Sequence, residues 1–192
     1  MKKFAVALSL TLLFACGRGE QKTDAHGYDA KKSNAPTRGG SSTAASQIPE
    51  GIDVGKRMPE YSAMWLDGSK FELVSKRDTV VLLNVWATWC GPCRYEIPEL
   101  QRMHNEYAGK GFEVIGVSVD ESGIESVKQF VAEQKMTYPV VLDPEGKLAN
   151  MLQTSVLPTT VLIGRDGKIV WKKMGAIFEN DAELKKAIES AL

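Results

Sequence analysis

From Ile52 onward, short continuous apolar runs alternate with stretches in which apolar residues recur every three or four positions. "TVVLLNVWA" (79–87) and "FEVIGVSV" (112–119) are nearly unbroken and rich in β-branched residues, which predicts strands buried on both faces. "YPVVLD" (138–143) predicts a shorter strand of the same kind. Between them, Ile97, Leu100, Met103 and Tyr107 fall on one helical stripe, as do Ile124, Val127, Phe130 and Val131. The first helix is expected to bend at Pro98 and to end at Gly109 or Gly111. "PEYSAMWLDGSKFELV" carries an Asp67-Gly68 turn between two runs, and "GRDG" separates "TTVLI" from "KIVWKK"; both read as hairpins. "KLANMLQ" reads as a short helix, and Asn180, with Glu183 three residues on, as the start of a last one. The predicted order is an N-terminal hairpin followed by βαβαβαββα, an α/β fold built on a mixed sheet.

The pattern changes before residue 52. Residues 1–15 join a basic Met1-Lys2-Lys3 start to an apolar run, Phe4 to Ala15. That run is shorter than the roughly 20 residues a spanning helix needs and fits a signal peptide. It closes on Leu13-Phe14-Ala15-Cys16, which resembles the bacterial lipobox, although Phe14 is bulkier than the commonest residue there. The resemblance implies cleavage and lipidation at Cys16. Residues 16–51 are then expected to form a flexible tether, with "SNAPTRGGSSTAAS" too poor in apolar residues to build a core. Such a tether has an average span of roughly 30 Å. His26 and Tyr28 within it receive no role. Residues 52–192 are expected to form the folded domain.

Composition narrows the function classes. Lys plus Arg equals Asp plus Glu, 24 against 24, and loss of Lys2 and Lys3 with the leader would leave 22 against 24. Neither balance suits nucleic-acid binding. Three cysteines are too few for a disulfide-dense scaffold. With Cys16 lipidated, Cys90 and Cys93 would be the only thiols of the mature chain.

Those two lie in "WATWCGPCR" (86–94), where a buried strand is expected to give way to a helix. A helix start aims unpaired N–H groups and a positive dipole end at the first thiol, which stabilises the thiolate that attacks disulfides. Cys93, one turn further in, is shielded and can resolve a mixed disulfide. Pro92 suits the first turn because its missing N–H would have no partner there. Other readings have less in their favour. A structural zinc site needs four ligands, and outside the tether only His104 could join the pair. A haem site needs His where Arg94 stands. A structural crosslink would close almost no loop.

"WATWCGPCR" resembles the thioredoxin active site. From about Ile52 to Leu192 the chain is more specifically similar to the membrane-anchored TlpA- and ResA-like thiol–disulfide oxidoreductases. The features that carry the similarity are "VGKRMPEYSAMWLDGSKFEL", "NVWATWCGPC", Pro98, the helix and strand at 121–143, and "VLPTTVLIGRDGKIV". The resemblance implies a thioredoxin fold with an N-terminal β-hairpin and an inserted helix–strand segment. It implies that Cys90 and Cys93 cycle between dithiol and disulfide with no other cofactor and no metal. It also implies that Leu157-Pro158-Thr159 presents a cis-proline opposite the disulfide, beside which a substrate segment can pair as an added strand. Asn84 stands where cytoplasmic thioredoxins carry a buried Asp, and Glu96 lies three residues after Cys93. In TlpA-like proteins Glu at that position is implicated in proton handling, so Glu96 is expected to help deprotonate Cys93. Trp86 is expected beneath the site and Trp89 beside the exposed sulfur, flanking Gly91-Pro92. Trp65 and Trp171 are read as packing residues.

The Gly-Pro pair resembles that of reducing thioredoxins. The expected role is a disulfide reductase of the cell envelope, acting on disulfide-bearing proteins, fed by a membrane thiol donor and anchored through Cys16. One branch of the family reduces apocytochrome c and commonly has an acid after the cis-proline; Thr159 departs from it. Two other classes stay open at this point. Related peroxiredoxins use Pro-x-x-x-Thr-x-x-Cys, which residues 83–90 lack. Copper carriers of similar fold use Cys-x-x-x-Cys with a distant His, and neither is evident.

Overall fold

The computed structural model describes residues 49–192. The leader, Cys16 and nearly all of the tether, with His26 and Tyr28, lie outside them. The described residues form β1 (Ser62–Trp65), β2 (Lys70–Glu72), β3 (Val80–Trp86), α1 (Gly91–Tyr107), β4 (Phe112–Ser118), α2 (Ile124–Glu133), β5 (Val140–Leu142), α3 (Lys147–Met151), β6 (Thr159–Ile163), β7 (Ile169–Met174) and α4 (Ala182–Ala191). This is the order expected from the sequence. A short 3-10 turn, Leu73–Lys76, takes up residues that the pattern had left to the first hairpin.

The seven strands form one mixed sheet in the order β2-β1-β5-β4-β3-β6-β7. β3 sits centrally, parallel to β4 and antiparallel to β6. All seven β3 residues are buried, because both faces of the sheet are covered. Val80, Leu82 and Trp86 enter one core with the stripes of α1, α2 and α4. Val81, Leu83 and Val85 enter the other with Phe71, Leu148 and Leu152. The two-residue period of the strand thus divides its side chains between two cores. Asn84 falls on the α1 side, so a polar group stands inside an apolar face.

Helix α1 runs unbroken for 17 residues through Pro98, burying Ile97, Leu100, Met103 and Tyr107. The final helix corrects the reading of its start. Asp181, not Asn180, is the cap: its side chain accepts from the Leu184 amide at 3.0 Å. Asn180 instead has φ +60° and donates its amide to Glu99 at 3.2 Å. Asp and Asn are both good caps, so local sequence could not separate them. Trp65 packs edge-on to Phe71 at 4.8 Å, and Trp171 lies partly buried against the α1-side core.

Candidate active site

The C-terminal end of β3 leads into a tight turn in which the Cys90 amide donates to the Ala87 carbonyl at 3.1 Å. Helix α1 starts immediately after it. Cys90 is the N-cap, and its sulfur accepts from the Cys93 amide at 3.2 Å. The two cysteines are joined as a disulfide, Cα atoms 5.3 Å apart. Gly91 and Pro92 form the exposed first turn between them. The expected exposed sulfur needs correction: Cys90 is only 5% exposed and Cys93 1%. The neighbouring Trp89 stands 70% exposed, while Trp86 is buried and tilted against Phe130 at 5.4 Å.

Leu157-Pro158 is a cis peptide bond. Antiparallel pairing of Val85 with Thr159 carries Pro158 to the same end of β3 from which the cysteine turn departs. Leu157 packs partly buried against the core that contains both cysteines. Thr159 is fully buried, and its hydroxyl donates to the Val156 carbonyl at 2.7 Å. Its side chain thus braces the approach to Pro158 from within.

Beneath the cysteines lies a polar nest. The Glu96 carboxylate is 1% exposed and accepts from the Asn84 amide and from the Ile177 backbone N–H, each at 2.7 Å. The Asn84 amide also donates to Thr160 Oγ1 at 2.9 Å. Burial pushes the Glu96 carboxyl up to about 7, against the opposing pull of Ile177, Asn84 and Lys173. Burial, with the nearby Glu96 charge, also holds the Tyr138 phenol well above its ordinary range. Helical spacing puts Glu96 one turn beyond Cys93 on the same side of α1. A carboxyl that titrates near neutrality there can take a proton at one step and return it at another.

Sequence reasoning did not single out Ile177, Thr160 or Asp120. A backbone N–H such as that of Ile177 carries no side-chain signature. Asp120 left a faint one, as an acid closing the apolar run of β4. It is buried and accepts from both the amide and the hydroxyl of Thr88, which tightens the cysteine turn. Among the described residues, no three His, Cys, Asp or Glu side chains cluster as metal ligands would. A cavity of about 90 Å³, lined in part by Arg57, Met58, Val81 and Arg165, lies towards the start of β3, remote from the disulfide.

Comparison with known proteins agrees with this geometry. A model of the AhpC/TSA family matches residues 54–172. Thiol-disulfide oxidoreductase ResA of Bacillus cereus is 37% identical over 126 residues, 66% of this chain and 72% of the relative. The chain belongs to the ResA-like thiol–disulfide oxidoreductases. ResA of Bacillus subtilis is 34% identical over 131 residues, 68% of this chain and 73% of its own. Among solved structures, a DsbF homologue from Corynebacterium diphtheriae aligns with a TM-score of 0.63 at 30% identity, covering 81% of this chain and 99% of the other. A thiol:disulfide interchange protein of the thioredoxin family from Chlorobium tepidum reaches 0.60 at 27%, covering 70% and 94%. The fold is therefore a thioredoxin fold, and the protein is an enzyme of thiol–disulfide exchange. The Cys90–Cys93 pair fits the redox centre of a ResA-like oxidoreductase, which works through its own disulfide, without an external cofactor, on disulfide-bearing proteins.

Proposed function

We propose that this ResA-like enzyme reduces disulfides of cell-envelope proteins outside the cytoplasm. In this reading residues 1–15 direct export, lipid at Cys16 anchors the chain to a membrane, and residues 16–51 tether the folded domain. Reduced Cys90 attacks one sulfur of a substrate disulfide. A bond forms between Cys90 and that sulfur, and the other substrate sulfur leaves as a thiolate. Glu96 accepts the Cys93 proton, and Cys93 then attacks Cys90. The Cys90–Cys93 disulfide forms, the second substrate thiolate is released, and two electrons have passed to the substrate. A membrane thiol carrier restores the dithiol. Pro158 and Leu157 border the substrate segment, and Trp89 meets it from the exposed side of the turn.

The observation that carries the assignment of roles is the N-cap geometry. Cys90 receives the Cys93 N–H at the start of a 17-residue helix, while Cys93 is the more buried of the two. A helix start favours a thiolate at Cys90 and leaves Cys93 to act from within. Gly91-Pro92 supports the reducing direction, because strong oxidants of the superfamily stabilise the reduced form more strongly.

A Cys93→Ser chain expressed in a bacterial envelope tests this reading. It should accumulate mixed disulfides at Cys90, recoverable with the bound proteins; a Cys90→Ser chain should not. A reversed result would exchange the two roles. Membrane partitioning tests the anchor in parallel: Cys16→Ala should move to the soluble fraction. The AhpC/TSA match makes a peroxide assay informative as well. Without Pro-x-x-x-Thr-x-x-Cys, no thiol-dependent peroxide consumption is expected.

A further inference from the structure

Asp120 stands just beyond the C-terminal end of β4, 3% exposed. Its Oδ1 accepts from Thr88 Oγ1 at 2.6 Å, and its Oδ2 accepts from the Thr88 amide at 3.0 Å and Ser118 Oγ at 2.7 Å. None of the ion pairs among the described residues includes Asp120. A buried carboxylate satisfied by neutral donors is a costly way to fasten two chain segments. What it fastens is the second residue of the Ala87–Cys90 turn, two residues before the N-cap sulfur. The Val119 amide, donating to the Trp86 carbonyl at 3.0 Å, fixes the base of the same turn.

We propose that Asp120, acting through Thr88, is a positioning residue that holds Cys90 Sγ at the start of α1. The inference rests on Cys90 being the attacking sulfur. Beside the backbone bonds at Cys90 and Trp86, Thr88 gives the turn its side-chain tie, since Trp89 is largely exposed and Gly91 has open space around its Cα. Without the clasp, Thr88 swings outward and the turn carries Cys90 away from the N–H groups that stabilise its thiolate. The rival role, a fixed negative charge near Cys90, has the opposite sign. Such a charge opposes the thiolate, so removing it would quicken attack.

The test is the rate at which the reduced full-length chain, in a Cys93→Ser background, attacks the small disulfide 5,5′-dithiobis(2-nitrobenzoic acid). The adduct is located by peptide mass at Cys90, and melting curves confirm that folded molecules are counted. Thr88→Val and Asp120→Ala should each slow adduct formation about tenfold, in line with the cost of displacing a reacting atom. Thr88→Ser, which restores the hydroxyl, should react within about twofold of the parent. Thr88 is only partly buried, so the Thr88 pair decides the matter even if Asp120→Ala does not fold. Unchanged or faster reaction in Thr88→Val, or equal slowing in Thr88→Ser, overturns the inference. Failure of the parent itself to form an adduct at Cys90 overturns instead the assignment of Cys90 as the attacking sulfur.

Discussion

Glu96 is the residue where burial, hydrogen bonding and redox chemistry meet. Its folded pKa, about 7, stands above the ordinary 4.5, so folding favours the protonated form. The stability associated with that proton is fully present below about pH 4.5 and is lost as pH rises through 7. The loss over that window is on the order of 3 kcal/mol. Glu96→Gln should flatten this part of the stability–pH curve, read by urea unfolding at several pH values. The Asn84 amide can turn over to suit the new side chain, because the Thr160 hydroxyl that now accepts from it can donate instead. The same variant should slow resolution of the mixed disulfide by Cys93 and remove its dependence on pH near 7. Unchanged pH dependence in thiol exchange would leave Glu96 a structural acid only. Gly116 is a second residue with a sharp requirement. A Cβ there would stand 2.8 Å from Trp86 Nε1, and 3.3 Å from Val140. Gly116→Ala must push the indole from beneath the active site, so a loss of about 1–3 kcal/mol is expected in thermal unfolding.

At the scale of elements, α1 is joined to the end of the molecule by two of its own carboxylates. Glu96 receives the Ile177 amide, and Glu99 receives that of Asn180. These bonds fasten the loop between β7 and α4 against the catalytic helix. Asp181 closes the loop by capping α4 and pairing with Lys173 at 2.7 Å. Asp181→Ala should cost about 1 kcal/mol for the cap, measured by denaturant unfolding, and should leave the attack rate of Cys90 unchanged. Helices and strands were legible in the sequence wherever an apolar period was long. The β3 run, the α1 stripe and the element order all appear as the pattern predicts. Ends were less legible, as at Asn180 and Asp181, because adjacent residues of equal capping ability compete and only the packed loop selects between them. The same limit hid the Asp120 clasp, which joins residues 32 positions apart.

At the scale of the whole molecule, the redox state of two sulfurs is linked to the stability of the entire domain. If folding favours the disulfide over the dithiol, the oxidised chain is the more stable and the reduced chain is the better reductant. The reducing role proposed above therefore predicts that the oxidised form outlasts the reduced form in guanidinium. A difference of about 2 kcal/mol is expected from the small closed loop alone. Greater stability of the reduced form would reverse the direction of electron flow. Equilibration with a glutathione buffer measures the same quantity independently.

By itself, the sequence determined the class of the protein. Local periodicity dictates which segments form strands and helices. The spacing of Cys90 and Cys93 at a strand-to-helix junction dictates thiol chemistry, because both effects act over a few neighbouring residues. Only the tertiary structure decided the environment of that chemistry. It placed Asn84, Thr160 and Ile177 around Glu96, brought the cis-proline to the end of β3, buried Cys90, and fastened its turn to Asp120. Burial and hydrogen-bond partnership depend on segments far apart in the chain meeting in space, and no local pattern encodes that meeting.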